Sequence, residues 1–156
     1  DNKDANGKMI KVIKELKAWC DHKRNKMPSG LAMTILAMNA KNKIVLNDRD
    51  DILLTDILRE IKKTLAQKFE CIAPVTPKDD LFAEYDSTRK NNFLTNLDSF
   101  LADAEAALKE PNQLKASRLW KKHLGTRFPD GEDKNEQSKS NAATTSGAVL
   151  SRPWGK

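Results

Sequence analysis

Large apolar residues recur at three- and four-residue steps through residues 9–20. Met9, Val12, Ile13, Leu16, Trp19 and Cys20 make one stripe of a helix. The spacing predicts a first helix from about Lys8 to Asn25. It must close before Met27-Pro28, because proline disfavours helical backbone in the residue before it. Lys8, Lys11 and Lys14 fall on or near the polar side. Lys17 instead lands between Ile10 and Ile13 on the helical wheel, inside the apolar sector. A lysine there either snorkels past the core or meets an anion.

The same periodicity predicts four more helices. The second, Leu31 to about Ala40, opens after Pro28-Ser29-Gly30, with Ser29 suited to the N-cap. It is apolar nearly all round, with Thr34 the one polar interruption, which predicts a central helix contacted on all sides. Asp48, Asp50 and Asp51 precede the third helix, where acids suit helix capping and the helix dipole better than a metal site. Its inward face is Leu54, Ile57, Leu58, Ile61, Leu65 and Phe69. Pro74 and Pro77 keep residues 71–78 extended, and Asp79-Asp80 reads as a turn. A fourth helix spans roughly Ser87 to Lys109 and a fifth about Asn112 to Leu124, with Gly125 as its stop. The expectation is an all-α, compact bundle of about five helices. Residues 1–129 form one helical domain and residues 130–156 a flexible, disordered C-terminal tail.

Composition agrees with a polar globular chain: 38% hydrophobic and 32% charged residues leave enough apolar matter for one core in 156 residues. The formal net charge of +6 is uneven. Residues 1–30 hold eight basic and four acidic side chains, so the excess lies on the first helix, a face that favours phosphate-rich partners or is simply solvated. Cys20 and Cys71 form no CxxC pair, and with only His22 and His123 a zinc site is not expected; reduced thiols in a cytosolic compartment are. No apolar run reaches a transmembrane length and no secretory signal is present, so no membrane partner is expected. The polar opening Asp1-Asn-Lys-Asp-Ala-Asn-Gly7 reads as the start of a fragment.

Catalytic chemistry is not readable. There is no GxGxxG, Walker loop or GxSxG, and no complete nucleophile or acid–base constellation. The chain alone is not expected to be an enzyme. In residues 130–146 almost nothing is apolar, so ordering them would not be repaid. Trp154, within Arg152-Pro153-Trp154-Gly155, is the exception. It reads as a short partner-binding motif or as part of an idle tail.

Ile13-Lys-Glu-Leu-Lys-Ala-Trp-Cys20 followed by Met27-Pro-Ser-Gly-Leu-Ala-Met-Thr-Ile-Leu-Ala37 resembles the second, helical domain of oligoadenylate-synthase-like nucleotidyltransferases. Further segments narrow the likeness: Asp48-Arg-Asp-Asp51, Ala73-Pro-Val-Thr-Pro-Lys-Asp-Asp-Leu81 and Leu119-Trp-Lys-Lys-His-Leu-Gly-Thr-Arg-Phe-Pro129. Together they resemble bacterial cGAS/DncV-like nucleotidyltransferases, the signal synthases of CBASS antiphage defence, over about residues 8–129. Lys122-His-Leu-Gly125 departs slightly, since the family more often has an aromatic before that glycine.

The resemblance implies a cytoplasmic bacterial synthase of cyclic nucleotides. Its N-terminal domain, with a Gly-Ser motif and acidic residues binding two Mg²⁺, joins ATP or GTP; that domain is absent from this sequence. It implies that Lys17 and Ser29 touch the donor triphosphate from the helical side. It also implies that a ubiquitin-like conjugation enzyme of the E1/E2 type handles the C-terminus. Many relatives end in a small residue, whereas this chain ends Trp154-Gly155-Lys156. Two other readings stand beside it: a non-catalytic helical adaptor that recruits a protein through its tail, and a basic RNA-binding domain.

Overall fold

Each stretch of helical spacing becomes a helix in the computed structural model, which describes residues 2–126 and 128–135. The elements are α1 (Asn2–Lys23), α2 (Gly30–Lys41), α3 (Asp50–Gln67), α4 (Ser87–Lys109) and α5 (Gln113–Leu124). The fold is all-α, and its five helices share one core. Local chemistry sets the boundaries. Ser29, Asp86 and Asn112 cap α2, α4 and α5 by accepting the amides of Ala32, Arg89 and Lys115 at 3.2, 2.8 and 3.0 Å. Gly125 ends α5 at φ 96°, a backbone region that glycine enters without steric cost. α1 differs from expectation by starting at Asn2 rather than near Lys8, and by stopping at Lys23. Its polar first turns need no apolar stripe to continue a helix that packing holds further along.

Trp19 lies at the centre, fully buried, with its ring centroid 5.0 Å from that of Phe100 and 6.1 Å from that of Phe93 on α4. Phe100 in turn stacks on His123 of α5 at 4.8 Å and meets Trp120 edge-on at 6.2 Å. α1 packs against α2, α3 and α5, and α3 packs against α1, α2 and α4. α2 is not the central helix its composition predicts. It touches only α1 and α3 among the helices, and Leu31 is 61% exposed. Its third neighbour is the 71–82 segment, where the Cys71 thiol donates to the Ala32 carbonyl at 3.6 Å. Both cysteines are free and buried.

The aspartates before α3 are spent mainly on cations, although Asp51 Oδ1 also accepts the amide of Ile52, a free donor of the first turn, at 2.9 Å. The N-cap residue is Arg49, which makes no side-chain cap bond. Asp48 takes Lys8, and Asp50 takes Lys11, each at 2.7 Å, tying α3 to α1. Asp51 receives Arg49 through two bonds, Nε at 3.0 Å and Nη2 at 2.6 Å, with both side chains buried. Asp50 and Asp51 still lie in the first turn, where the dipole favours them. Asp80 forms the expected turn, its carboxylate accepting the amides of Cys71 and Phe82 at 2.8 and 2.9 Å.

The tail boundary also shifts. Residues 128–135 run back along α5 instead of leaving the fold at 129. Phe128 is buried, the Gly131 amide donates to Ser117 Oγ at 2.8 Å, and the Gln113 amide donates to the Lys134 carbonyl at 2.9 Å. Polar bonds therefore supply the ordering that apolar content could not. The chain passes out of the described structure beside Asn112, at the opposite end of α5 from Gly125. The expected disorder of the remaining tail lies outside the described residues.

Two groups, buried His123 and half-buried Glu15, make stability depend on pH. Burial lowers the basicity of His123 although Asp103 lies 2.7 Å from its Nε2. Glu15 is pushed up to about 9 by burial, opposed by Lys11 and reinforced by Asp50 and Asp51, and its Oε1 has no partner. The folded chain thus keeps a proton on Glu15 that the unfolded chain has released. The stability that this group contributes falls as pH rises from its ordinary 4.5 toward 9. Glu15→Gln, the same shape without titration, is expected to raise Tm by several degrees near pH 8. Near pH 5 it should leave Tm within about a degree. A thermal melt series in buffers of different pH checks this; a difference independent of pH would contradict it.

Candidate functional site

The end of α1 and the start of α2 form the two walls of a groove of about 660 Å³, with the loop between the helices as its floor. Lys17, Cys20, Asp21 and Arg24 line it from the α1 side, and Met27, Pro28, Ser29 and Gly30 from the other. The two sequence-derived site residues, Lys17 and Ser29, therefore face one cavity. Trp19 and Leu16, fully buried, anchor the α1 wall. Buried Pro28 and the Ser29 cap fix where the α2 wall begins.

Lys17 is not inside the core sector that the wheel gives it. The side chain is exposed, because the buried stripe of α1 is Met9, Val12, Leu16, Trp19 and Cys20. Ile10 is 55% exposed and Ile13 only partly buried, so the flank they share with Lys17 is the rim of α1. The lysine stem lies along the first residue of α2: a β-carbon placed on Gly30 would sit 3.2 Å from Lys17 Cε. No carboxylate of the described residues pairs with its ammonium group. The open position and the apolar track under the stem leave the charge at the groove mouth, free to meet a ligand.

The α2 wall is a helix N-terminus. Gly30 and Leu31 have no intrahelical acceptor for their amides, and Ser29 Oγ, though accepting from Ala32, retains its own proton as a donor. Lys17, the Ser29 hydroxyl and the positive end of the α2 dipole together make an environment for an anion. Asp21 is the one carboxylate lining the groove and makes no ion pair with a described residue. It disfavours an anion at its end and biases one toward Lys17 and Ser29. Cys20 contributes a protonated thiol, since burial and Asp21 push it up to about 12.

Arg24 is the residue that sequence reasoning missed. It lines this groove, a neighbouring hollow of about 370 Å³ with His22 and Gly125, and a third of about 450 Å³ with Lys26, Glu84, Asp86 and Arg89. The available signal was a helix end written Arg-Asn-Lys with no glycine; which way that loop turns was not readable. Arg152, Pro153, Trp154 and Gly155 lie outside the described residues. Among the described residues no three His, Cys, Asp or Glu side chains converge as a metal site, and no helix is long and apolar enough to cross a membrane.

Gly30→Ala tests the contact between α2 and Lys17. The atoms that meet the added methyl belong to a flexible side chain, so the fold should tolerate it, with Tm unchanged or slightly raised. The Lys17 stem should shift by a few tenths of an ångström, visible as altered Lys17 Hε resonances in NMR spectra. Unchanged Lys17 resonances would show that the stem does not lie over Gly30. No family model matches the chain.

Proposed function

We propose that this chain is the helical, nucleotide-facing part of a cyclic-oligonucleotide synthase. Its groove receives the triphosphate of ATP or GTP while a nucleotidyltransferase domain elsewhere in the protein carries out transfer. The observation that carries this reading is the convergence of Lys17, the Ser29 hydroxyl and the start of α2 on one open groove. Phosphoryl-group chemistry is accelerated chiefly by positioning and charge neutralisation, and these groups supply both. A lysine on a flexible stem is a mobile point charge for phosphate oxygens. Helix amides and a hydroxyl fix the direction from which the anion approaches.

In this reading Mg²⁺ belongs to the transferase domain, and the present residues bind and orient the nucleotide. The setting is the bacterial cytoplasm and the role is antiphage signalling, as the motif resemblance implies. A ubiquitin-like conjugation enzyme of the E1/E2 type acts at Arg152-Pro153-Trp154-Gly155.

Titration of the 156-residue chain with ATP or GTP at low salt tests the central claim. Weak binding is expected, and Lys17→Ala should reduce it about tenfold, the size of one charge-assisted phosphate contact. Tm should not change, because the side chain is exposed and unpaired. In the synthase containing both parts, the same substitution should raise KM for nucleotide more than it lowers kcat. Unaltered binding and kinetics in the Lys17 variant would remove the groove from the mechanism.

A further inference from the structure

The loop at the floor of the groove turns on two left-handed residues, and neither is glycine. Arg24 has φ 60° and Lys26 has φ 61°. Asn25, the residue of this tripeptide best suited to that region, lies between them. The Arg24 amide reaches the Cys20 carbonyl at 2.8 Å and the Asn25 amide reaches the Lys23 carbonyl at 2.7 Å. The first of these is a common way to end a helix, and glycine is the residue that does it at least cost. Here the sequence puts long cationic side chains at both left-handed positions.

Both cations line cavities, and neither pairs with a carboxylate of the described residues. Arg24 faces the Lys17–Ser29 groove and the 450 Å³ hollow beside it; Lys26 and Arg89 line that hollow too. Arg89 is already oriented. Its Nη2 donates to the Met27 carbonyl at 3.0 Å, its guanidinium lies 4.0 Å from the Tyr85 ring centroid, and its buried Nε has no acceptor. The hollow also holds two acids, Glu84 and Asp86; Asp86 accepts the Arg89 backbone amide and keeps its charge, so three cations face two carboxylates there. Backbone strain of this kind persists where the surroundings over-determine it and clusters at binding sites.

We propose that the Arg24–Lys26 loop is a second phosphate-gripping element and that the ligand of this region is an extended polyphosphate. One phosphate lies against Lys17 and Ser29, and the chain of phosphates continues over Arg24 toward Lys26 and Arg89. The inference rests on the groove being an anion site, as argued above. It adds the residues that select a polyphosphate over a single phosphate.

Calorimetric titration of the full 156-residue chain at low salt, with inorganic tripolyphosphate, ATP, AMP and orthophosphate as probes, tests it. The variants are Arg24→Gly, Lys26→Gly and Lys17→Ala. Glycine removes the charge and relieves the backbone together, so Tm should hold or rise, and lost binding cannot be assigned to unfolding. Arg24→Gly and Lys26→Gly should each weaken tripolyphosphate and ATP at least about fivefold, with a smaller effect on orthophosphate. If both glycine variants bind tripolyphosphate like the wild type while Lys17→Ala binds it more weakly, the groove stands and the loop is only a helix stop. A lower Tm in Arg24→Gly also overturns the proposal, because the arginine is then structural. A wild-type chain that does not bind tripolyphosphate, binds ATP and AMP equally, or retains single-stranded RNA instead overturns both readings.

Discussion

The indole of Trp19 spans a gap that no backbone crosses. α1 and α4 do not pack directly as helices, yet the Trp19 ring reaches Phe93 and Phe100 on α4, and Phe100 carries the contact on to His123 and Trp120 of α5. A large ring filling the centre is worth several kcal/mol, since its removal leaves a cavity the neighbours cannot close; about 3–5 kcal/mol is usual for such a loss. More than stability depends on it. Trp19 lies two residues from Lys17 and Asp21 and five from Arg24, so the same burial that builds the core fixes the rotation of α1 about its axis. That rotation puts those three side chains on the groove wall.

Polar joints then lock helices that the core only brings near. Lys8–Asp48 and Lys11–Asp50 join α1 to the start of α3, and the enclosed Arg49–Asp51 pair sets the turn leading into α3. The exposed members of this set add little, whereas the enclosed pair is costly to break because either partner alone would be a buried charge. His123 and Asp103 play the corresponding part between α5 and α4. Burial favours the uncharged form of both groups. In Asp103 the hydrogen bonds from His123 and Lys122 outweigh burial, and the carboxyl is held below its usual range. With Asp103 ionised, the His123 Nε2–H is the donor. The α1–α3 joint is thus made by lysine–aspartate pairs, and the α4–α5 joint by Asp103 held between His123 and Lys122.

The groove draws its character from what the fold leaves unsatisfied. Lys8 and Lys11 of α1 find carboxylates at the start of α3; Lys17 does not, although Asp21 is one turn away on the same helix. The N-terminus of α2 is likewise capped on the Ala32 amide and open on the two residues before it, Gly30 and Leu31. These are the features expected of a surface that another molecule completes. For a triphosphate they provide a charge, a hydroxyl and a dipole on converging walls. Together they support the proposed nucleotide-facing role without assigning any bond-making step to this chain.

Five helices, their caps at Ser29 and Gly125, and the inward residues of α3 from Leu54 to Leu65 were legible in the sequence, because helical spacing and local hydrogen bonding are properties of neighbouring residues. Motif likeness singled out Lys17 and Ser29, and the fold puts both on one groove, but Lys17 does not sit in the core sector. The wheel made Ile10 a core residue, and only packing shows that α2 leaves it exposed and turns Lys17 into a rim group. Tertiary structure alone decided the rest. Asp48 and Asp50 went to lysines some forty residues away, residues 130–135 were held by α5, and Arg24 and Lys26 took left-handed backbone at the groove floor. Local spacing specifies which face of a helix is apolar. What each charge meets depends on segments distant in sequence, and that is settled only when the helices dock.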